Sequence, residues 1–148
     1  MSRVTEATLQ DIPQLCELLA LLFTQEADFQ PDESKQSKGL RQIIEHPDIG
    51  RILILQEGDN VIGMVNLLFT VSTALGGKVA TLEDMIVHPA HRDGGAGSIL
   101  LQNAIALAKS YGCLRITLLT DKTNERAVRF YERHGFALSK MIPLRLLL

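Results

Sequence analysis

The stretch LEDMIVHPAHRDGGAGSILL, residues 82–101, passes from an apolar strand-like run through three glycines into a helical pattern. Pro89 ends the strand, because it offers no N–H to a ladder. Gly94, Gly95 and Gly97 open backbone conformations closed to other residues and leave room for a ligand against the main chain. A helix begins just afterwards, so unpaired N–H groups and the positive end of its dipole point into that space. Such a site suits an anion, most naturally a phosphate or pyrophosphate. Arg92 at its entrance adds a full positive charge with bidentate geometry. On these residues alone, a tight strand-to-helix turn without a ligand stays open as the plainer alternative.

Two familiar phosphate loops do not fit. A nicotinamide dinucleotide fingerprint needs G-x-G-x-x-G, but Gly95 and Gly97 are followed by Leu100 where the third glycine belongs. A Walker loop closes on G-K-[ST], and the hinge has no lysine. What remains is Arg-x-x-Gly-x-Gly directly after a strand ending in Val-x-Pro.

Working outward, the chain reads as one domain over residues 1–148, long enough for a continuous core. RVTEAT (3–8) predicts a short strand. Asp11 as N-cap and Pro13 in the first turn predict a helix carrying Leu15, Leu18, Leu19, Leu22 and Phe23. Residues 25–39 read as a polar, acidic loop, and a second helix is expected over about 35–45, before His46-Pro47. RILILQEGDNVIGMVNLLFTV (51–71) reads as a hairpin turning at Gly58-Asp59-Asn60, and VATLEDMIV (79–87) as the next strand. After the hinge come a helix over 98–112 closed by Gly112, a strand LRITLLTD (114–121), a helix from about Asn124 to His134 stopped by Gly135, and a final strand FALSKMIPLRLLL (136–148). This order predicts a mixed α/β sheet.

Composition narrows the function classes. Hydrophobic residues make up 46% and charged ones 22%, ordinary for a globular protein. A net charge of -2 and the lack of a basic tract give no pull toward nucleic acid or anionic membrane. The longest apolar run, LCELLALLF (15–23), contains Glu17 and is far too short to span a bilayer, and no signal peptide is expected. Cys16 and Cys113 lie in apolar patterns, as reduced thiols of a cytoplasmic protein would. His88, His91 and His134 match no metal-ligand spacing, so no metal is expected.

The residues resemble the GNAT superfamily of N-acetyltransferases over nearly the whole chain. LEDMIVHPAHRDGGAGSILL is similar to that family's acetyl-CoA motif and NERAVRFYERHGF (124–136) to its second motif, one helix and one strand later. The resemblance implies a single mixed, mostly antiparallel sheet flanked by helices and splayed to admit the pantetheine arm. It also implies direct acetyl transfer from acetyl-CoA to a primary amine: a small amine, a peptide N-terminus or a lysine. The turn formed by Arg92, Asp93, Gly94, Gly95, Ala96, Gly97 and Ser98 would hold the pyrophosphate, and main-chain groups around Met85, Ile86 and Val87 would pair with pantetheine like an added strand. Asn124 would hydrogen-bond pantetheine, and Tyr131 would act as general acid toward the departing thiolate. Asp93 departs from the family pattern, which commonly has glycine there.

An attacking amine must be unprotonated, so a carboxylate base is expected. Glu83 is the first choice and Asp84 the second, since adjacent strand residues face opposite sides unless a bulge intervenes. Arg126, Arg129 and Arg133 make the last helix basic and either meet CoA phosphates or are solvated. For the acceptor, Glu26, Asp28, Asp32 and Glu33 near Phe23 and Phe29 either favour a cationic amine, such as a polyamine, aminoglycoside or lysine-like group, or form a charged, solvated loop, the plainer reading. The alternative to an enzyme is a non-catalytic acyl-CoA-binding sensor or regulatory module. Apolar Leu144, Leu146, Leu147 and Leu148 leave homodimerisation through the final strand open.

Overall fold

The structure, a computed structural model, describes residues 2–25 and 31–148. The chain starts with β1 (Ser2–Glu6), α1 (Ile12–Gln25) and α2 (Glu33–Glu45), followed by β2 (Gly50–Glu57), β3 (Asn60–Ser72) and β4 (Gly77–Val87). Then come α3 (Ala96–Ser110), β5 (Ile116–Leu118) and α4 (Glu125–Arg133). The strands form one sheet in the order β1-β2-β3-β4-β5, with every pair antiparallel except β4·β5. This is the mixed, mostly antiparallel sheet expected.

Both faces of the sheet are covered, which explains why β2 reads as an unbroken apolar run rather than an alternating one. Ile52 and Ile54 pack with Leu15, Leu18 and Leu19 of α1 and Leu40 of α2. Leu53 and Leu55 point the other way, onto Leu100, Leu101, Ala104 and Ala108 of α3. The two-residue strand period thus feeds two cores from one segment.

Helix entry differs in detail from the sequence expectation. Asp11 does not cap α1 directly; its carboxylate reaches back to accept from the Thr8 N–H at 2.7 Å, in a capping box that opens a 3-10 turn leading into α1. Helix α2 begins at Glu33, inside the segment read as loop, because Asp32 accepts from Lys35 N and caps it.

Two strand expectations are corrected at the far end. LRITLLTD contributes only Ile116–Leu118 to the sheet. The tail FALSKMIPLRLLL forms no strand: Leu138, Met141, Ile142, Leu144, Leu146, Leu147 and Leu148 are at least 78% exposed. A strand needs a neighbouring edge for its N–H and C=O groups, and this tail pairs with none, while Pro143 removes one donor.

That short β5 shapes the functional end of the molecule. Its register with β4 covers Ala80↔Ile116, Thr81↔Thr117 and Leu82↔Leu118 and stops there. Beyond Leu82, β4 runs on for five residues to Val87 without β5 beside it. The two parallel strands splay, and a cleft opens between them.

Candidate functional site

The cleft has a volume of about 600 Å³ and is walled by Leu82–Val87 of β4, the hinge, residues 118–121 and α4. Because β5 has ended, every second N–H and C=O of β4 beyond Leu82 lacks a sheet partner on that side. An extended ligand can complete that edge as a strand would.

A β-bulge interrupts β4 inside the cleft. Met64 pairs with Ile86 and Asn66 with Glu83, so the single residue Val65 faces two, Asp84 and Met85. Asp84, at the bulge, takes the left-handed conformation at φ 54°, which few residues other than glycine, asparagine and aspartate adopt. The extra residue resets the alternation: Leu82 packs toward α3, whereas Ile86 packs toward α1 and α2. Glu83 and Asp84 therefore both line the cleft, the case reserved above for a bulge.

Their environments differ. Glu83 is exposed, whereas Asp84 is half-buried. Burial pushes the Asp84 carboxyl up from 3.8 to about 6, against a hydrogen bond from Asn66 that lowers it and the neighbouring Glu83 charge that raises it further. Asn66 Nδ2 donates to Asp84 Oδ2 at 3.4 Å. Asn66 is 3% exposed, and its Oδ1 has no hydrogen-bond partner among the described residues. The sequence reading missed Asn66, although a lone amide inside VIGMVNLLF was a visible signal.

The hinge forms as a strand-to-helix turn with Gly95 at the N-cap of α3, in the left-handed region at φ 82°. Arg92 Nε donates to Val87 O at 3.0 Å, anchoring its guanidinium at the end of β4. Gly95, Gly97 and Ser98 line the cleft with Arg92 and Asp93, while Gly94 and Ala96 belong to the same turn but lie outside the lining. The N–H groups of the first turn of α3 open toward this end, where an anion fits.

Three tethers hold α4 across the hinge. The Phe130 ring packs over Gly97, where a Cβ would stand at an ordinary contact distance of 3.4 Å. Ser98 Oγ and His134 Nε2 are 3.0 Å apart, and Arg126 Nη2 donates to Asp93 Oδ1. The acidic residue that departs from the family pattern is thus neutralised by a partner 33 positions away. Arg126 and Arg133 line the cleft, whereas Arg129 pairs with Glu125 on the helix surface.

Asn124 caps α4 by accepting from Ala127 N at 3.1 Å, and it also lines the cleft. Tyr131 lines the same wall, set edge-on between Phe130 and Phe136. Burial pushes its hydroxyl up to about 12, so it keeps its proton at neutral pH. Met85, Ile86 and Val87 line the opposite wall.

Of the residues suggested for the acceptor, Glu26, Asp28 and Phe29 lie outside the described residues. Asp32 is spent capping α2 and Glu33 lies in its first turn, while Phe23 packs against the core. Leu22 of α1 does reach the cleft. Among the described residues, no helix is long and apolar enough to cross a membrane.

A splayed sheet with an anion cradle at the helix after its bulged strand defines the fold of an acyl-CoA-type acetyltransferase. The chain belongs to the Acetyltransferase (GNAT) family, whose model matches residues 12–136. Glucosamine 6-phosphate N-acetyltransferase of Trypanosoma brucei brucei is 27% identical over 89 residues, 60% of this chain and 58% of that protein. The chain thus matches less than two thirds of the length of this curated relative. A transcriptional regulator from Bacillus halodurans C-125 superposes with a TM-score of 0.84 at 28% identity, covering 100% of both chains. A predicted acetyltransferase with acetyl-CoA from Clostridium acetobutylicum shares the fold, with a TM-score of 0.79 at 17% identity over 98% of this chain and 96% of that one.

Proposed function

We propose that the protein transfers the acetyl group of acetyl-CoA directly to a primary amine. The observation that carries this reading is the bulge at Asp84, which sets a carboxyl with a raised pKa into the cleft whose opposite wall bears Tyr131. The free N–H groups of the first α3 turn, with Arg92 beside them, would bind the pyrophosphate. The unpaired edge of β4 around Met85, Ile86 and Val87 would align pantetheine, with Asn124 facing it.

Asp84, in preference to the more exposed Glu83, would take the proton of the incoming amine, directly or through one water. A main-chain N–H of the open β4 edge would polarise the thioester carbonyl. The amine nitrogen bonds to the acetyl carbon as the carbon–sulfur bond breaks. Tyr131 would donate its proton to the departing sulfur, leaving free CoA and the amide. The two free cysteines, Cys16 and Cys113, accord with a cytoplasmic enzyme.

The resemblance to a transcriptional regulator over the full length of both chains favours one second reading, a sensor that binds acyl-CoA without turnover. Calorimetry with acetyl-CoA and thiol release across an amine panel separate the two. Binding with release supports the enzyme, and binding without release supports the sensor. Gly97→Asp puts a negative charge on the lining of the cradle, at a helical position where a Cβ meets the Phe130 ring at an ordinary 3.4 Å, so the domain should fold and lose acetyl-CoA binding. Unchanged affinity in that variant would sink the assignment.

A further inference from the structure

The cleft is divided by charge. Its cations, Arg92, Arg126 and Arg133, stand at the hinge or on α4. Arg126 and Arg133 are seven residues apart on one face of α4, the face tethered to the hinge through Asp93, Gly97 and Ser98. At the other end, about 10 Å back along β4, stand Glu83 and Asp84. Asp121, three residues past the end of β5, also lines the cleft, on the wall facing β4.

Neither Glu83 nor Asp121 makes an ion pair among the described residues, whereas Asp93 at the hinge is paired with Arg126. Asn66 stands opposite Glu83 in the register, directs its amide at Asp84, and keeps an Oδ1 with no donor. The far end thus gathers three carboxylates, Asp84 among them held by the buried Asn66, and every cationic side chain of the lining stands at the opposite end. A ligand that satisfies them brings positive charge and several N–H donors.

We infer that the acceptor is a cationic amine with a second positive charge, a diamine or polyamine, and not a phosphorylated or otherwise anionic amine. The inference rests on the acetyl-transfer reading and names the substrate class of that same cleft. The reacting ammonium lies against Asp84, and the second cation is held by Glu83 and Asp121. An anionic acceptor would meet repulsion from all three.

The test compares 1,4-diaminobutane, butylamine and glucosamine 6-phosphate as acceptors for the full chain, with thiol release as the readout. At low salt the diamine should exceed butylamine in kcat/KM by about tenfold, and the gap should shrink as salt rises. Glu83→Gln and Asp121→Asn should each reduce the diamine-to-butylamine ratio by about threefold. Equal use of diamine and monoamine, or preference for the phosphorylated sugar, overturns the inference while leaving acetyl transfer standing. Loss of acetyl-CoA binding in calorimetry, or no thiol release with any amine, overturns the acetyl-transfer reading and the inference with it.

Discussion

Replacing Asp84 with asparagine should cost activity and gain stability at the same time, and both effects follow from its place in the bulge. Asparagine tolerates the left-handed backbone at φ 54°, and its carbonyl oxygen still accepts from Asn66, so the fold is kept. The carboxyl is raised from 3.8 to about 6, roughly two pKa units at about 1.4 kcal/mol each, or about 3 kcal/mol against its ionised form. Solvent entering through the cleft screens part of this and leaves about 1–2 kcal/mol. The folded state holds the proton more tightly than the unfolded chain does. This contribution to stability is therefore full below pH 4 and lost as pH rises to about 6. Asp84→Asn removes the ionised cost, so its melting temperature should exceed that of the unchanged protein by about 2–8 °C at pH 7–8. The two should melt together below pH 4. In kinetics, kcat/KM should drop at least about a hundredfold, and the acidic limb near pH 6 should disappear from its pH profile. An amine whose own pKa lies well above that window keeps the limb assignable to the protein. A stability gain that does not vary with pH, or an acidic limb that persists in the variant, refutes the reasoning.

Two further substitutions examine other parts of the site. Tyr131→Phe removes a proton donor held protonated by burial, so kcat should fall about 10- to 100-fold while KM for acetyl-CoA changes less than about twofold; an unaltered kcat would take Tyr131 out of the reaction. Asp93→Gly relieves a left-handed non-glycine residue, φ 68°, and releases Arg126 at the phosphate end of the cleft. Calorimetry should show acetyl-CoA binding several-fold tighter, most at low salt, and weaker binding would mean that the Asp93–Arg126 pair builds the cradle.

Local chemistry made much of this protein legible before any tertiary contact was known. The hinge declared itself because Pro89, three glycines and a following apolar helix period act over a dozen neighbouring residues. Helices α3 and α4 and the β2–β3 hairpin were equally readable, since glycine stops, the Asn124 cap and strand periodicity depend on adjacent positions. The ranking of the two carboxylates was not readable. Alternation along β4 allows one inward residue, and only pairing with β3 shows that Val65 faces both Asp84 and Met85 and turns both carboxylates inward. The apolar tail was misread for the same reason, because a strand is completed by a neighbouring edge and 136–148 pairs with none. Asn66 with Asp84, 18 positions apart, and Asp93 with Arg126, 33 apart, are likewise meetings made by the sheet and the packing of α4. The sequence alone therefore determined the hinge and the kind of anion it suits, through interactions between neighbours, and the family resemblance added the acyl donor. Which carboxylate is buried and how charge divides the cleft were decided by contacts between distant residues, which exist only once the chain has folded.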